Sequence, residues 1–181
     1  RVSWPTRNEP EPEMRMPRVL RPTKRVVCAE SAPALPAMAA DNVETDTLAR
    51  LVKDCKNIVG VKEASGSLDQ MTQVVLACGP EFAVLSGDDN LTLPLMAVGG
   101  VGVISVIANI VPRETAELTH AALNGDWKQA RDLHHRLYPL CRAAFFETNP
   151  IPIKEAMAMM GMVEPEFRLP MCPMGAAKRE R

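Results

Sequence analysis

Between Ile58 and Leu123 the chain alternates a short apolar run with an amphipathic stretch three times over, and few architectures accept that order. Ile58 to Lys62, Phe82 to Leu85 and Val101 to Val106 are too short for helices and read as strands, the first apolar enough to be buried on both faces. A helical pattern follows each. After the first, Leu68, Met71, Val75 and Cys78 share a face, and Gly79-Pro80 supplies the stop. After the second comes Leu91 to Val98, which Pro94 is predicted to bend and which Asp88 or Asp89 is placed to cap. After the third, Pro112 to Leu123 closes at Gly125. Strand-then-helix units of about 20 to 30 residues imply parallel strands joined by right-handed crossovers. The expectation is an α/β fold, with a doubly wound sheet and a (β/α)8 barrel both fitting. Gly102, inside the third run, implies close backbone approach in a crowded sheet.

Within this frame one residue carries chemistry. Lys62 ends the first run and is followed by the small-residue turn Ala64-Ser65-Gly66, with Ser67 and Gln70 spaced as a capping box. Lys62 therefore falls at the carboxyl end of a parallel strand, the edge where α/β folds place their active sites. A lysine walled by aliphatic residues loses solvation, which favours the neutral amine, and a neutral amine can attack a carbonyl to form a Schiff base. Lysines near strand ends are also common as plain surface charges. Glu63 points to the opposite face by strand alternation and is not a candidate base. Asp88 and Asp89 read more simply as helix caps than as acid–base groups.

On either side of the repeat the pattern changes. Asp46 to Asp54 is helical, with Leu48, Leu51 and Val52 inward. Residues 1–44 form a leader rich in proline, with Arg1, Arg7, Arg15, Arg18, Arg21, Lys24 and Arg25 interspersed and no apolar period. Such a composition offsets little chain entropy, and the leader is expected to be disordered. The chain begins with arginine, as a fragment would. Beyond Gly125 the strands stop. Asp126 caps a helix carrying Ala130, Leu133 and Leu137, which Pro139 is expected to end. Asn149-Pro150-Ile151-Pro152 opens another, with Ile153, Met157 and Met160 as its apolar side and Gly161 as its stop. Phe167 to Met171 reads as extended, and Gly175 to Arg181 as the start of a helix.

Composition removes several function classes. A net charge of -1 gives no reason to expect nucleic acid or a membrane surface as partner, and no apolar run approaches the roughly 18 residues of a membrane span. The five cysteines are widely spaced without a C-x-x-C pair, and the three histidines form no H-x-x-x-H pair. Neither a disulfide framework nor a metal site is expected, and reduced thiols suit a cytoplasmic protein.

Four motifs then stand in one order: Gly60-Val61-Lys62-Glu63-Ala64-Ser65-Gly66, Leu85-Ser86-Gly87-Asp88-Asp89, Gly102-Val103-Ile104-Ser105-Val106 and Asn149-Pro150-Ile151-Pro152-Ile153-Lys154. In order and spacing they resemble the dihydrodipicolinate synthase family, and Leu169-Pro170-Met171 is similar to its C-terminal segment. The resemblance runs from about residue 45 to 178. It implies a partial (β/α)8 TIM barrel over residues 45–125, with the three runs as barrel strands six to eight, followed by a truncated C-terminal helical region over residues 126–181. It implies Lys62 as the Schiff-base nucleophile, with Ile104 and Gly87 lining the pyruvate site. The implied reaction condenses pyruvate with L-aspartate 4-semialdehyde in lysine and diaminopimelate biosynthesis. The covalent lysine–pyruvate imine needs no other cofactor. A cytoplasmic homotetramer is the family's usual state.

The departures are as specific as the matches. A full barrel takes roughly 250 residues, and the matching stretch is little more than half of that. The family's proton relay uses a tyrosine and threonines from its N-terminal half, and an arginine after strand five holds the semialdehyde carboxylate. Its lysine-feedback site also belongs to that half. Tyr138, the single tyrosine, is expected on a helix outside the barrel, and Ala34 to Ala39 stand where the relay tyrosine and the arginine should fall. A sister aldolase, such as N-acetylneuraminate lyase or a sugar-acid aldolase, shares the lysine chemistry, although Glu-Ala-Ser-Gly after Lys62 and Asn-Pro-Ile-Pro favour the synthase. Without the family's N-terminal half the chain is expected to bind pyruvate but not to turn over alone, and a non-catalytic truncated product is the reading from another class. Uncovered strand edges would make such a product prone to aggregate.

Overall fold

The computed structural model describes residues 42–180 and the backbone of residues 25–30. Among the described residues, four parallel strands form one sheet in the order β1 (Arg25–Glu30), β2 (Ile58–Ala64), β3 (Ala83–Ser86) and β4 (Gly102–Val103). Helix α1 (Thr45–Asp54) precedes β2, α2 (Leu68–Cys78) precedes β3, and α3 (Thr92–Ala97) precedes β4. After β4 come α4 (Pro112–Leu123), α5 (Trp127–Ala143), α6 (Ile151–Met159) and the short α7 (Ala176–Arg179). The α/β repeat is as expected. Strand β1 is not, because it lies inside the stretch read as a disordered leader. Its Val26-Val27-Cys28-Ala29 run is short and flanked by charge, so it carries no period of its own; pairing in parallel along β2 makes it a strand. The rest of the leader lies outside the described residues apart from 42–44.

Strand β2 was expected to be buried on both faces, and among the described residues helices cover one of them. Val61 and Val84 pack with Leu48, Met71, Val74, Phe82 and Leu95 in the core between sheet and helices. Each such side chain, fully buried, contributes roughly 1.5–3 kcal/mol. Lys62 and Leu85, one residue on and so on the other face, are half-buried. Gly60 permits the β2–β3 approach: a Cβ there would lie 2.6 Å from the Ala83 carbonyl oxygen. Gly102 is placed as anticipated, with a Cβ position 3.3 Å from Leu85 Cδ2. A second core joins Ile107, Leu118, Leu133, Leu137, Cys141 and Ala144, fastening α4 and α5 to the end of the sheet.

Several local expectations give way to packing. Pro139 does not end α5, which runs on to Ala143. The helix continues because Leu133, Leu137, Cys141 and Ala144 keep burying one face, while Pro139 and His135, whose carbonyl loses its partner, lie exposed where water can replace it. Pro94 does not bend a single helix. Asp89–Leu91 is a separate 3-10 turn, and Pro94 falls in the first turn of α3, where its missing N–H is not needed. The third run pairs over two residues only, and Ile107–Asn109 turns into a 3-10 segment. In α2 Met71 and Val74 are buried and Val75 and Cys78 pack partly buried against the same core, while Leu68 is exposed. In α6 they are Ile151, Pro152, Ile153 and Glu155, with Met160 exposed.

The segment after α6 is tied back by charge. Lys154 Nζ donates to the Glu166 carbonyl and lies 5.0 Å from the centre of the Phe167 ring. The buried Glu155 accepts from the Met174 N–H at 3.4 Å and stands 3.4 Å from Arg179 Nε. Glu147 accepts from the Gly175 N–H at 3.2 Å and pairs with Lys178 at 3.5 Å.

Candidate active site

The parallel register puts three strand ends on one line. Lys62 pairs with Leu85 and Leu85 with Gly102; in the next row Glu63 pairs with Ser86 and Ser86 with Val103. Beyond these rows the Gly87 N–H donates to the Glu63 carbonyl at 2.7 Å, and the Ile104 N–H donates to the Ser86 carbonyl at 2.8 Å. Lys62, Gly87 and Ile104, the three residues singled out from the sequence, therefore meet at the carboxyl end of the sheet. By alternation Ile104 follows Gly102 onto the face that carries Lys62, and it is 42% exposed there. Gly87 stands against the lysine itself: a Cβ at Gly87 would lie 3.0 Å from Lys62 Cε and 2.4 Å from Ala64 Cβ. Any side chain at that position would push on the stem that carries the amine.

Behind Lys62 the β2–α2 turn is fixed by Glu63. It is fully buried, and its carboxylate accepts from the Ser65 N–H at 2.8 Å and from Gln70 Nε2 at 3.1 Å. Gln70 in turn exchanges bonds of 2.7 and 3.0 Å with Asn42. These bonds offset the desolvation of a buried carboxylate and hold the end of β2 from the helix side. The capping box is half made. Ser67 accepts from the Gln70 N–H at 3.2 Å, but the Gln70 side chain is drawn to Glu63 and Asn42 instead of back to Ser67.

The two aspartates divide differently than expected. Asp88 holds the first capping position of the 3-10 turn Asp89–Leu91 without a side-chain capping bond to it. The buried Asp89 caps across space: its carboxylate accepts from Ser105 Oγ, from the Val106 N–H at 2.9 Å and from the Ile107 N–H at 3.4 Å. Ser105 Oγ also accepts from the Ala108 N–H at 2.9 Å. The sequence marks Asp89 as a cap; its target, the turn after β4, shows only in three dimensions. Behind Asp89 a cavity of about 10 Å³, room for at most one water, is lined by Thr92, Thr115, His134 and Cys141 among others. Burial, then the Asp89 charge, pushes the Cys141 thiol up to about 11. Burial, then the neighbouring His135, lowers His134 below its ordinary value.

Tyr138 lies on α5, 45% exposed and beside His134. Ala34 to Ala39 lie outside the described residues. Among the described residues no group of three His, Cys, Asp or Glu side chains is arranged to hold a metal, and no helix is long and apolar enough to cross a membrane.

Comparison with known proteins gives a consistent picture. A family model described as the dihydrodipicolinate synthetase family matches residues 33–181, starting before the expected residue 45. The 4-hydroxy-tetrahydrodipicolinate synthase of Syntrophobacter fumaroxidans is 51% identical over 148 residues, covering 81% of this chain and 50% of its own length. The synthase of Thermomicrobium roseum is 49% identical over 147 residues, covering 81% and 48%. Among solved structures, dihydrodipicolinate synthase from Aquifex aeolicus aligns with a TM-score of 0.79 at 43% identity, covering 86% of this chain and 51% of that one. The chloride-inhibited enzyme from Acinetobacter baumannii, solved in complex with pyruvate, aligns with a TM-score of 0.77 at 34% identity, covering 86% and 51%. The chain spans about half the length of the curated relatives it matches.

Proposed function

Because this chain belongs to the dihydrodipicolinate synthetase family, we propose that Lys62 is the Schiff-base lysine of a pyruvate-dependent lyase that condenses pyruvate with L-aspartate 4-semialdehyde. The observation that carries the reading is the meeting of Lys62, Gly87 and Ile104 at the ends of three neighbouring parallel strands. In this reading the neutral amine of Lys62 adds to the ketone carbon of pyruvate, and loss of water leaves the imine. The methyl carbon then gives up a proton to form the enamine, whose carbon attacks the aldehyde carbon of the second substrate. Gly87 keeps the space beside the lysine stem open, and the backbone at Ile104 lines the pyruvate pocket. The imine is the reaction's own covalent carrier, and no further cofactor is invoked. Pyruvate held by the Acinetobacter baumannii relative supports the choice of first substrate.

In the same proposal β2, β3 and β4 are barrel strands six to eight, which makes β1 the fifth. Residues 45–125 then belong to the barrel and residues 126–181 to the helical region that follows it. The expected setting is a cytoplasmic homotetramer serving lysine and diaminopimelate biosynthesis. The synthase names of the relatives favour this second substrate over those of a sister aldolase.

The test is trapping. Pyruvate followed by borohydride reduces an imine to a stable secondary amine. The adduct is expected on the peptide containing Lys62 and absent from Lys62→Ala. No adduct on the folded wild-type chain overturns the reading. Aspartate semialdehyde added before the reductant then examines the second step: condensation withdraws the trappable pyruvate imine.

A further inference from the structure

Of the buried polar groups near the strand ends, Asp89 is the one whose bonds converge on the segment that follows Ile104. Ile104 is held from both sides. Its own N–H is bound to the Ser86 carbonyl, and the three residues that follow it, Ser105, Val106 and Ile107, all donate to the Asp89 carboxylate. Asp89 is itself placed by the chain that carries Gly87, since only Asp88 separates them, and Ser86 Oγ stiffens that turn by donating to the Asp88 carbonyl at 2.7 Å. The carboxylate therefore links the segment after β3 to the segment after β4, one wall of the pocket to the other. A carboxylate that accepts two backbone N–H groups and a hydroxyl in a buried setting is a stiff connector.

We propose that Asp89 is a positioning residue of the site. By clamping Ser105, Val106 and Ile107 it sets the distance of the Ile104 backbone from Gly87 and Lys62, and with it the affinity for pyruvate. The proposal rests on the reading of Lys62 as the Schiff-base lysine. It places Asp89 outside the chemistry: it does not act on the reacting atoms, so its loss should weaken pyruvate capture without slowing reduction of an imine once formed.

The experiment measures borohydride trapping on the full chain across a range of pyruvate concentrations, giving a half-saturation and a maximum. A folding defect reduces the maximum by lowering the active fraction and leaves the half-saturation where it was; a displaced pocket wall moves the half-saturation. Asp89→Ala is expected to raise the half-saturation about ten-fold or more, as loss of hydrogen bonds to a charged acceptor allows. Asp89→Asn keeps an oxygen for the two backbone N–H groups and should stay within about three-fold of wild type. Ser105→Ala, which removes the hydroxyl and leaves the backbone bonds, should also shift less than Asp89→Ala. It serves together with Asp89→Asn if the alanine variant does not fold, a ratio above one being expected of each. An unchanged half-saturation in every variant that folds overturns the proposal and spares the Lys62 reading. A wild-type chain that takes no label at any pyruvate concentration overturns both.

Discussion

At the residue scale the site is a matter of how little room Gly87 leaves. Gly87→Ala would bring a Cβ to 2.4 Å from Ala64 Cβ and 3.0 Å from Lys62 Cε, so the end of β2 has to move. We expect a loss of roughly 1–3 kcal/mol in denaturant unfolding, the usual cost of overpacking, together with slower pyruvate labelling of Lys62. Gly175→Ala, whose Cβ would lie an ordinary 3.5 Å from Glu147 Oε1, should change neither. Glu63→Leu removes the acceptor of Ser65 N–H and Gln70 Nε2 and should destabilise by about 1–3 kcal/mol; equal stability of the two proteins would mean the buried carboxylate is dispensable. The place of Lys62 at a strand end was legible in the sequence because its signal is local: an apolar run, a terminal lysine, a small-residue turn. Asp89 was legible only as a cap. Its acceptors' partners lie 16 to 18 residues ahead, and a separation in sequence carries no information about which turn the carboxylate reaches. The Glu63–Gln70–Asn42 network is hidden for the same reason, although the spacing of Ser67 and Gln70 points to a different bond.

At the scale of elements, α1 and α2 were placed within a few residues because each buries a stripe that the sequence displays, and α4 and α6 because proline and glycine mark their ends. Where a local breaker competed with a continuing apolar face, the face won. Pro139 is the clear case, and it yields a prediction. In a helix interior proline costs roughly 3 kcal/mol relative to alanine, but it also stiffens the unfolded chain, returning about 0.4–1 kcal/mol. Pro139→Ala should therefore stabilise the protein by about 2–2.5 kcal/mol, read as a higher denaturation midpoint with the same slope. A lower midpoint would mean that α5 depends on the kinked geometry the proline imposes. Strand β1 failed to show in the sequence for the converse reason. A four-residue apolar run among prolines and arginines is below the length at which period can be judged, and parallel pairing with β2 supplies what propensity does not.

For the molecule as a whole, helix α5 couples the second core to the sheet ends, and two of its residues contribute to the response of the fold to pH. Unfolded, the Cys141 thiol ionises near its ordinary value of 9.0; folded, burial and the Asp89 carboxylate push it up to about 11. Below pH 9 both states hold the proton and the fold has its full stability. Between these values the unfolded chain releases a proton that the folded chain keeps, so stability falls as pH rises, by about 2 kcal/mol across the window. His134 works at the other end. Its folded value is depressed, first by burial and then by His135, so as pH drops through the ordinary value of 6.5 the unfolded chain takes up a proton first and stability falls. The unfolding free energy should thus form a plateau with two declining arms. Cys141→Ala lowers the plateau by opening a small cavity but should make the alkaline arm shallower, leaving the share of Cys78, whose thiol is also raised by burial, and His134→Gln should make the acid arm shallower while leaving the alkaline one. Denaturant titrations at intervals from pH 5 to 11 read both slopes. An alkaline arm equally steep in Cys141→Ala would place that proton release elsewhere and remove the thiol behind Asp89 from the account of stability.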